Sequence, residues 1–67
     1  MSNFNTLLET RHSLGLARLE LMLVSEKLGG EQDFINTTRE IDSTVEGLTN
    51  AINQISDAIR RYNIERR

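Results

Sequence analysis

The chain has 67 residues, of which 37% are hydrophobic and 27% charged, with a net charge of −2 and no cysteine. This length allows one domain with a small core, and the absence of cysteine excludes disulfides and thiolate metal sites. The acidic balance argues against a nucleic-acid-binding protein, and no apolar stretch is long enough to span a membrane. Because no basic leader with a cleavage site is visible at the N-terminus, we expect a cytoplasmic protein.

The glycine pair Gly29–Gly30 divides the chain into two segments with helical periodicity. The chain contains no proline, and the pattern predicts a first helix over about residues 3–28, a turn over 29–31 and a second helix over about 32–64. Lys27 in the last turn, followed by Gly29, is typical of a helix C-terminus, where Gly29 would adopt a left-handed conformation. Residues 1–67 are therefore expected to form a single helical hairpin.

Both segments carry apolar residues at alternating spacings of three and four, which is the heptad pattern of a coiled coil. In the first segment the seam consists of Leu7, Leu14, Leu21, Val24 and Leu28, together with Thr10 and Ala17. In the second it consists of Phe34, Ile41, Val45, Leu48, Ile52, Ile55 and Ile59, together with Thr38 and Tyr62. The fold class predicted from these seams is all-α, a two-helix antiparallel coiled-coil hairpin.

The two seams can be aligned on each other across the glycine turn. If the chain reverses at Gly29–Gly30, facing residues should have position numbers with a constant sum. Pairs such as Leu21 with Ile41 and Leu14 with Leu48 add up to 62, as do five other pairs from the two seams. We therefore predict a hairpin register in which Leu21 and Ile41 share a layer.

A second group of apolar residues in the first helix lies off this seam and is predicted to bind a partner. The group consists of Leu8, Leu16, Leu19, Met22 and Leu23, with Gly15 on the same side. The corresponding positions of the second helix are polar, so the apolar patch belongs to the first helix alone. A patch of this size on a small chain indicates an interface. Docking to a different protein is the favoured interpretation, and the alternatives are a homodimer and an apolar surface that binds no partner.

The residues needed for catalysis or metal binding do not form a recognisable set. His12 is the only histidine, and with Glu9 it makes a Glu-x-x-His pair that lacks the further carboxylates of a di-metal bundle. There is no phosphate-binding loop and no Ser/His/Asp combination. We expect no enzyme activity, no metal and no cofactor.

Several of these features resemble one known family. The run Lys27-Leu28-Gly29-Gly30, the triplet Thr38-Arg39-Glu40 and the apolar series Leu48, Ala51, Ile52 and Ile55 in so short a chain are similar to the small co-chaperones of type III secretion needle subunits, the YscE/EscE/PscE group. The resemblance covers nearly the whole chain. It depends on length, hairpin organisation, turn glycines and Arg-Glu spacing rather than on a ligand motif.

The resemblance implies a role in a bacterial virulence system. A co-chaperone of this kind pairs with a larger helical-repeat chaperone, and the pair keeps the needle subunit unpolymerised in the bacterial cytoplasm. Needle and rod subunits are also short helical hairpins and are one alternative, although they usually carry a proline in the turn, where this chain has Gly29-Gly30-Glu31. A homo-oligomeric coiled-coil scaffold or regulatory protein is the other.

Overall fold

The computed structural model describes residues 3–65, which form two long helices folded back on each other. Helix α1 spans Asn3–Leu28, a 3-10 helix spans Gln32–Phe34, and helix α2 spans Ile35–Glu65. The molecule is a rod with extents of 53 × 16 × 13 Å. The predicted all-α fold, with two helices packed on each other as a hairpin, is confirmed.

The turn between the helices is longer than the predicted turn over residues 29–31. The Glu31 N–H donates to the Leu28 carbonyl at 2.9 Å, and the Phe34 N–H donates to the Glu31 carbonyl at 3.1 Å. These bonds connect residues three apart, which is the 3-10 geometry. The second helix therefore begins at Ile35 and not at about residue 32, because Gln32–Phe34 belongs to the turn.

The prediction of a left-handed Gly29 is wrong. Within residues 3–65 no residue has a positive φ. A Cβ added at Gly29 would lie 3.2 Å from the Ser25 carbonyl oxygen, which is closer than a side chain normally tolerates. A side chain at this position would require the end of α1 to shift by a few tenths of an ångström, and glycine requires no such shift.

The observed register differs from the predicted one. Three side-chain contacts across the hairpin define it: Phe4 stacks on Tyr62 with 5.0 Å between ring centroids, Arg18 Nη1 donates to Thr49 Oγ1 at 3.2 Å, and Ser25 Oγ donates to Asp42 Oδ1 at 2.7 Å. The position numbers in these pairs add up to 66 or 67, so the predicted sum of 62 is wrong. Because the 3-10 helix lengthens the turn, each residue of α1 faces a residue four or five positions further along α2.

Three of the seven residues of the predicted α1 seam are replaced by the neighbouring column of residues. The leucines at positions 7, 14, 21 and 28 are half-buried, and they alternate with the half-buried residues Arg11, Arg18 and Ser25. Thr10, Ala17 and Val24 are exposed instead, and Val24 leaves 42% of its surface accessible. Val24 is thus outside the seam, because α1 is rotated so that Arg18 and Ser25 reach their hydrogen-bond partners on α2.

The α2 side of the interface follows the heptad pattern with one exception. Residues 38, 41, 45, 48, 52, 55 and 62 are half-buried, and Ile59, at 7% exposure, is the only buried side chain of the described residues. The exception is Phe34, which is 45% exposed. It lies outside the seam because it belongs to the 3-10 helix that precedes α2. The hairpin therefore has a thin core that two helices cover incompletely.

Candidate protein-docking face

Four large apolar side chains of α1 point away from α2 and together form the surface that we call the outer face: Leu16, Leu19, Met22 and Leu23. Each is 50–53% exposed. The four positions are three or four residues apart along one side of a helix, so their side chains are neighbours. All four come from the group that the sequence predicts as partner-binding.

The other two predicted members of the group lie at the margin of the outer face. Leu8 and Gly15 are half-buried and line a shallow groove with Arg11, His12 and Leu16. The volume of the groove is about 390 Å³. Because Arg11 belongs to the hairpin seam, this groove connects the outer face to the edge of the contact between α1 and α2.

Further exposed apolar residues lie beyond the predicted group. Val24 follows Leu23 directly and enlarges the apolar surface of α1. Phe34 and Ile35 are exposed at the turn, and Ile64, at 62% exposure, lies near the end of α2. The sequence assigned Val24 and Phe34 to the seam, and it carried no periodic signal for Ile35 or Ile64.

The outer side of α2 has a different character. Ser43, Asn50 and Asp57 are exposed, and Asp57 forms a solvent-accessible ion pair with Arg60 at 3.3 Å. Pairs of this kind contribute little to stability because water screens them. The outer side of α2 between Ser43 and Asp57 is therefore polar, whereas the outer face of α1 is apolar.

The two helices also differ in how their apolar residues are distributed around the helix axis. Helix α2 is strongly amphipathic, whereas α1 carries apolar residues around most of its circumference. A helix with apolar residues all round is normally covered on more than one side. In the hairpin α1 is covered only by α2, which leaves the outer face as the surface available to a further protein.

Between residues 3 and 65 no cluster of three or more His, Cys, Asp or Glu side chains could hold a metal ion. His12 is exposed. In the same part of the chain neither helix is long and apolar enough to cross a bilayer.

Gly15 offers a direct test of whether the outer face is an interface. A Cβ at Gly15 would meet nothing within 4 Å, and the same is true of Gly47 on α2. Gly15→Ala and Gly47→Ala should therefore each raise the free energy of unfolding by about 0.5–1 kcal/mol, because alanine favours the helix. Thermal denaturation followed by circular dichroism measures both changes.

The two variants should differ in binding. If another helix packs closely at Gly15, the added methyl group of Gly15→Ala weakens that contact, whereas Gly47→Ala leaves it unchanged. Equal binding by the two variants, measured by titration calorimetry against a protein that binds the hairpin, would show that no close helix contact occurs at Gly15.

No known protein family, curated protein or solved structure matches this chain.

Proposed function

We propose that the chain is a protein-binding co-chaperone that acts without catalysis. Its outer face docks on a helical-repeat chaperone, and the pair keeps a type III secretion needle subunit unpolymerised in the bacterial cytoplasm. The observation that supports this most directly is the half-exposed outer face on a helix that is apolar on two sides. The identity of the two partners comes from the family resemblance.

The energetics of the hairpin favour a permanent partner. Only Ile59 among the described residues is buried, and a chain of this length buries a smaller fraction of its surface than a larger domain does. Covering Leu16, Leu19, Met22 and Leu23 would remove further apolar surface from water, at about 25 cal/mol per Å². Binding of the partner therefore also stabilises the folded hairpin.

The shape of the hairpin suits a helical-repeat protein. Stacked repeats form an extended concave surface, and a helix commonly binds by laying an apolar side in such a groove. The rod is 53 Å long and 16 Å or less across, so α1 can lie along the groove over several repeats while the polar side of α2 remains in water.

Affinity capture from the source bacterium followed by reconstitution tests the proposal. The chain, tagged at its C-terminus, should retain a helical-repeat protein and a short needle subunit in stoichiometric amounts. The three purified proteins should form a soluble complex of defined mass by light scattering. The needle subunit alone should form filaments under the same conditions, as seen by electron microscopy.

The alternatives predict different outcomes. A needle or rod subunit would itself form filaments when purified. A homo-oligomeric scaffold would retain neither protein, and its mass would be a multiple of that of one chain at every dilution. Either result would contradict the co-chaperone role.

A further inference from the structure

The outer face of α1 is complementary to itself when the helix is reversed about Leu19. Positions three residues before and after Leu19 are both occupied by large apolar side chains, Leu16 and Met22. Positions four residues away carry Gly15 on one side and Leu23 on the other. In an antiparallel pair of α1 helices centred on Leu19, Leu16 meets Met22 of the second copy, and the small Gly15 meets the large Leu23.

The polar residues at the two ends of the outer face follow the same reversal. His12 and Glu26 lie seven residues on either side of Leu19, and both are exposed. The antiparallel pair places His12 opposite Glu26 of the second copy, and it does so twice. A parallel pair would instead place Glu26 opposite Glu26 and Gly15 opposite Gly15, which brings like charges together and leaves a gap.

We infer that two copies of the chain pair through their outer faces, α1 against α1 in antiparallel orientation, with the two-fold axis at Leu19. An isologous contact of this kind uses one surface patch twice and closes at two copies. The result is a four-helix assembly with the two α1 helices inside and the two α2 helices outside. The polar outer sides of α2, with Asn50 and Asp57, then face water.

A second copy is the occupant that the described residues favour for the free protein. The two-fold contact provides, for both chains at once, the apolar coverage that one hairpin lacks. Glycine at position 15 allows the helices to approach to the short end of the usual interaxial distance, about 8 Å. The pairing goes beyond the proposed function, and both use the outer face, so a helical-repeat partner has to displace the second copy.

A charge exchange tests the orientation of the pair. His12→Glu places a carboxylate opposite Glu26, and Glu26→Lys introduces an ammonium group that can face that carboxylate. The His12→Glu variant should raise the dimer dissociation constant roughly tenfold, because two like-charge pairs form per dimer and each exposed pair changes the affinity only a few-fold. Glu26→Lys alone should change the constant little, since it creates no pair of like charges. The double variant should recover the original constant, since each introduced carboxylate then faces an introduced ammonium group. Sedimentation equilibrium measures the constants, and Glu46→Lys on the exposed side of α2 is the control that should change nothing.

A cross-link tests the position of the axis. The chain has no cysteine, so Leu19→Cys introduces a single thiol that lies next to its own copy at the two-fold axis. Mild oxidation should convert most of this variant to a disulfide dimer, since residues at the axis approach within the roughly 4.4–6.8 Å that a disulfide requires between Cα atoms. Asn50→Cys on the outer side of α2 should cross-link slowly and only in proportion to concentration.

Three results would overturn the inference: a monomer at all concentrations, a double variant that binds no tighter than His12→Glu, or equal cross-linking from positions 19 and 50. Circular dichroism of each variant shows whether the hairpin remains folded, and His12→Glu with its double variant, both on exposed positions, retain the test if Leu19→Cys unfolds. A dimer with the expected charge rescue but without capture of a helical-repeat protein would support the inference and contradict the proposed function. If the free chain is monomeric but captures a helical-repeat protein, the result would contradict the inference and support the proposed function.

Discussion

Ile59→Ala is expected to lower the free energy of unfolding by about 2–4 kcal/mol, as truncation of a buried isoleucine does. Ile59 is the side chain that the described hairpin buries most completely, at 7% exposure. The substitution removes apolar contacts and leaves a space that two helices cannot fill by small movements. Since the total stability of a domain is only about 5–15 kcal/mol, and short chains lie at the low end, this change should remove much of the stability.

Urea denaturation followed by far-UV circular dichroism measures the effect, at one protein concentration because association shifts apparent stability. Ile64→Ala is the matched control, with the same residue type on the same helix but 62% exposure. It should change the free energy of unfolding by no more than about 0.5 kcal/mol. Equal losses for the two variants would show that this end of the hairpin has no core.

The α2 side of the hairpin could be predicted because its sequence allows only one packing face. Apolar residues occupy both heptad positions from Ile41 to Ile59, and the positions between them are largely polar. A single rotation of the helix therefore buries them. Phe34 was misassigned because the heptad spacing continues through it, although the backbone there is wound as a 3-10 helix.

The rotation of α1 could not be predicted from the same kind of pattern. The column Leu7, Leu14, Leu21 and Leu28 can be completed on one side by Thr10, Ala17 and Val24 or on the other by Arg11, Arg18 and Ser25. Hydrophobicity favours the first set. The structure uses the second, in which Arg18 donates a hydrogen bond to Thr49 and the aliphatic parts of arginine side chains can cover apolar surface.

The heptad pattern does not predict the register correctly, but it does identify the residues of the outer face. The layers depend on the number of residues in the turn, and a three-residue 3-10 helix shifts all of them together. Leu16, Leu19, Met22 and Leu23, by contrast, lie away from α2 with either choice of seam column. Their assignment to an outer face is therefore independent of the register, and the structure leaves all four about half exposed.

The triple variant Leu16→Glu, Leu19→Glu, Leu23→Glu should remove partner binding without unfolding the hairpin. All three positions are exposed on α1, and polar replacements at such positions usually change stability by no more than about 0.5 kcal/mol each. At an interface, loss of a central apolar anchor costs about 2 kcal/mol or more. We therefore expect the dissociation constant for the captured helical-repeat protein to rise at least about a hundredfold, since every 1.4 kcal/mol or so is a factor of about ten.

The matched control is Ser43→Glu, Asn50→Glu, Asn53→Glu, which adds the same three negative charges to exposed positions of α2. It should bind as the unmodified chain does, because the outer side of α2 is already polar. Thermal melting followed by circular dichroism is compared with titration calorimetry for both variants, so that unfolding is separated from loss of contact. If the α1 variant binds normally while the α2 variant does not, the partner covers α2, and the docking face has to be reassigned to the polar side of the hairpin.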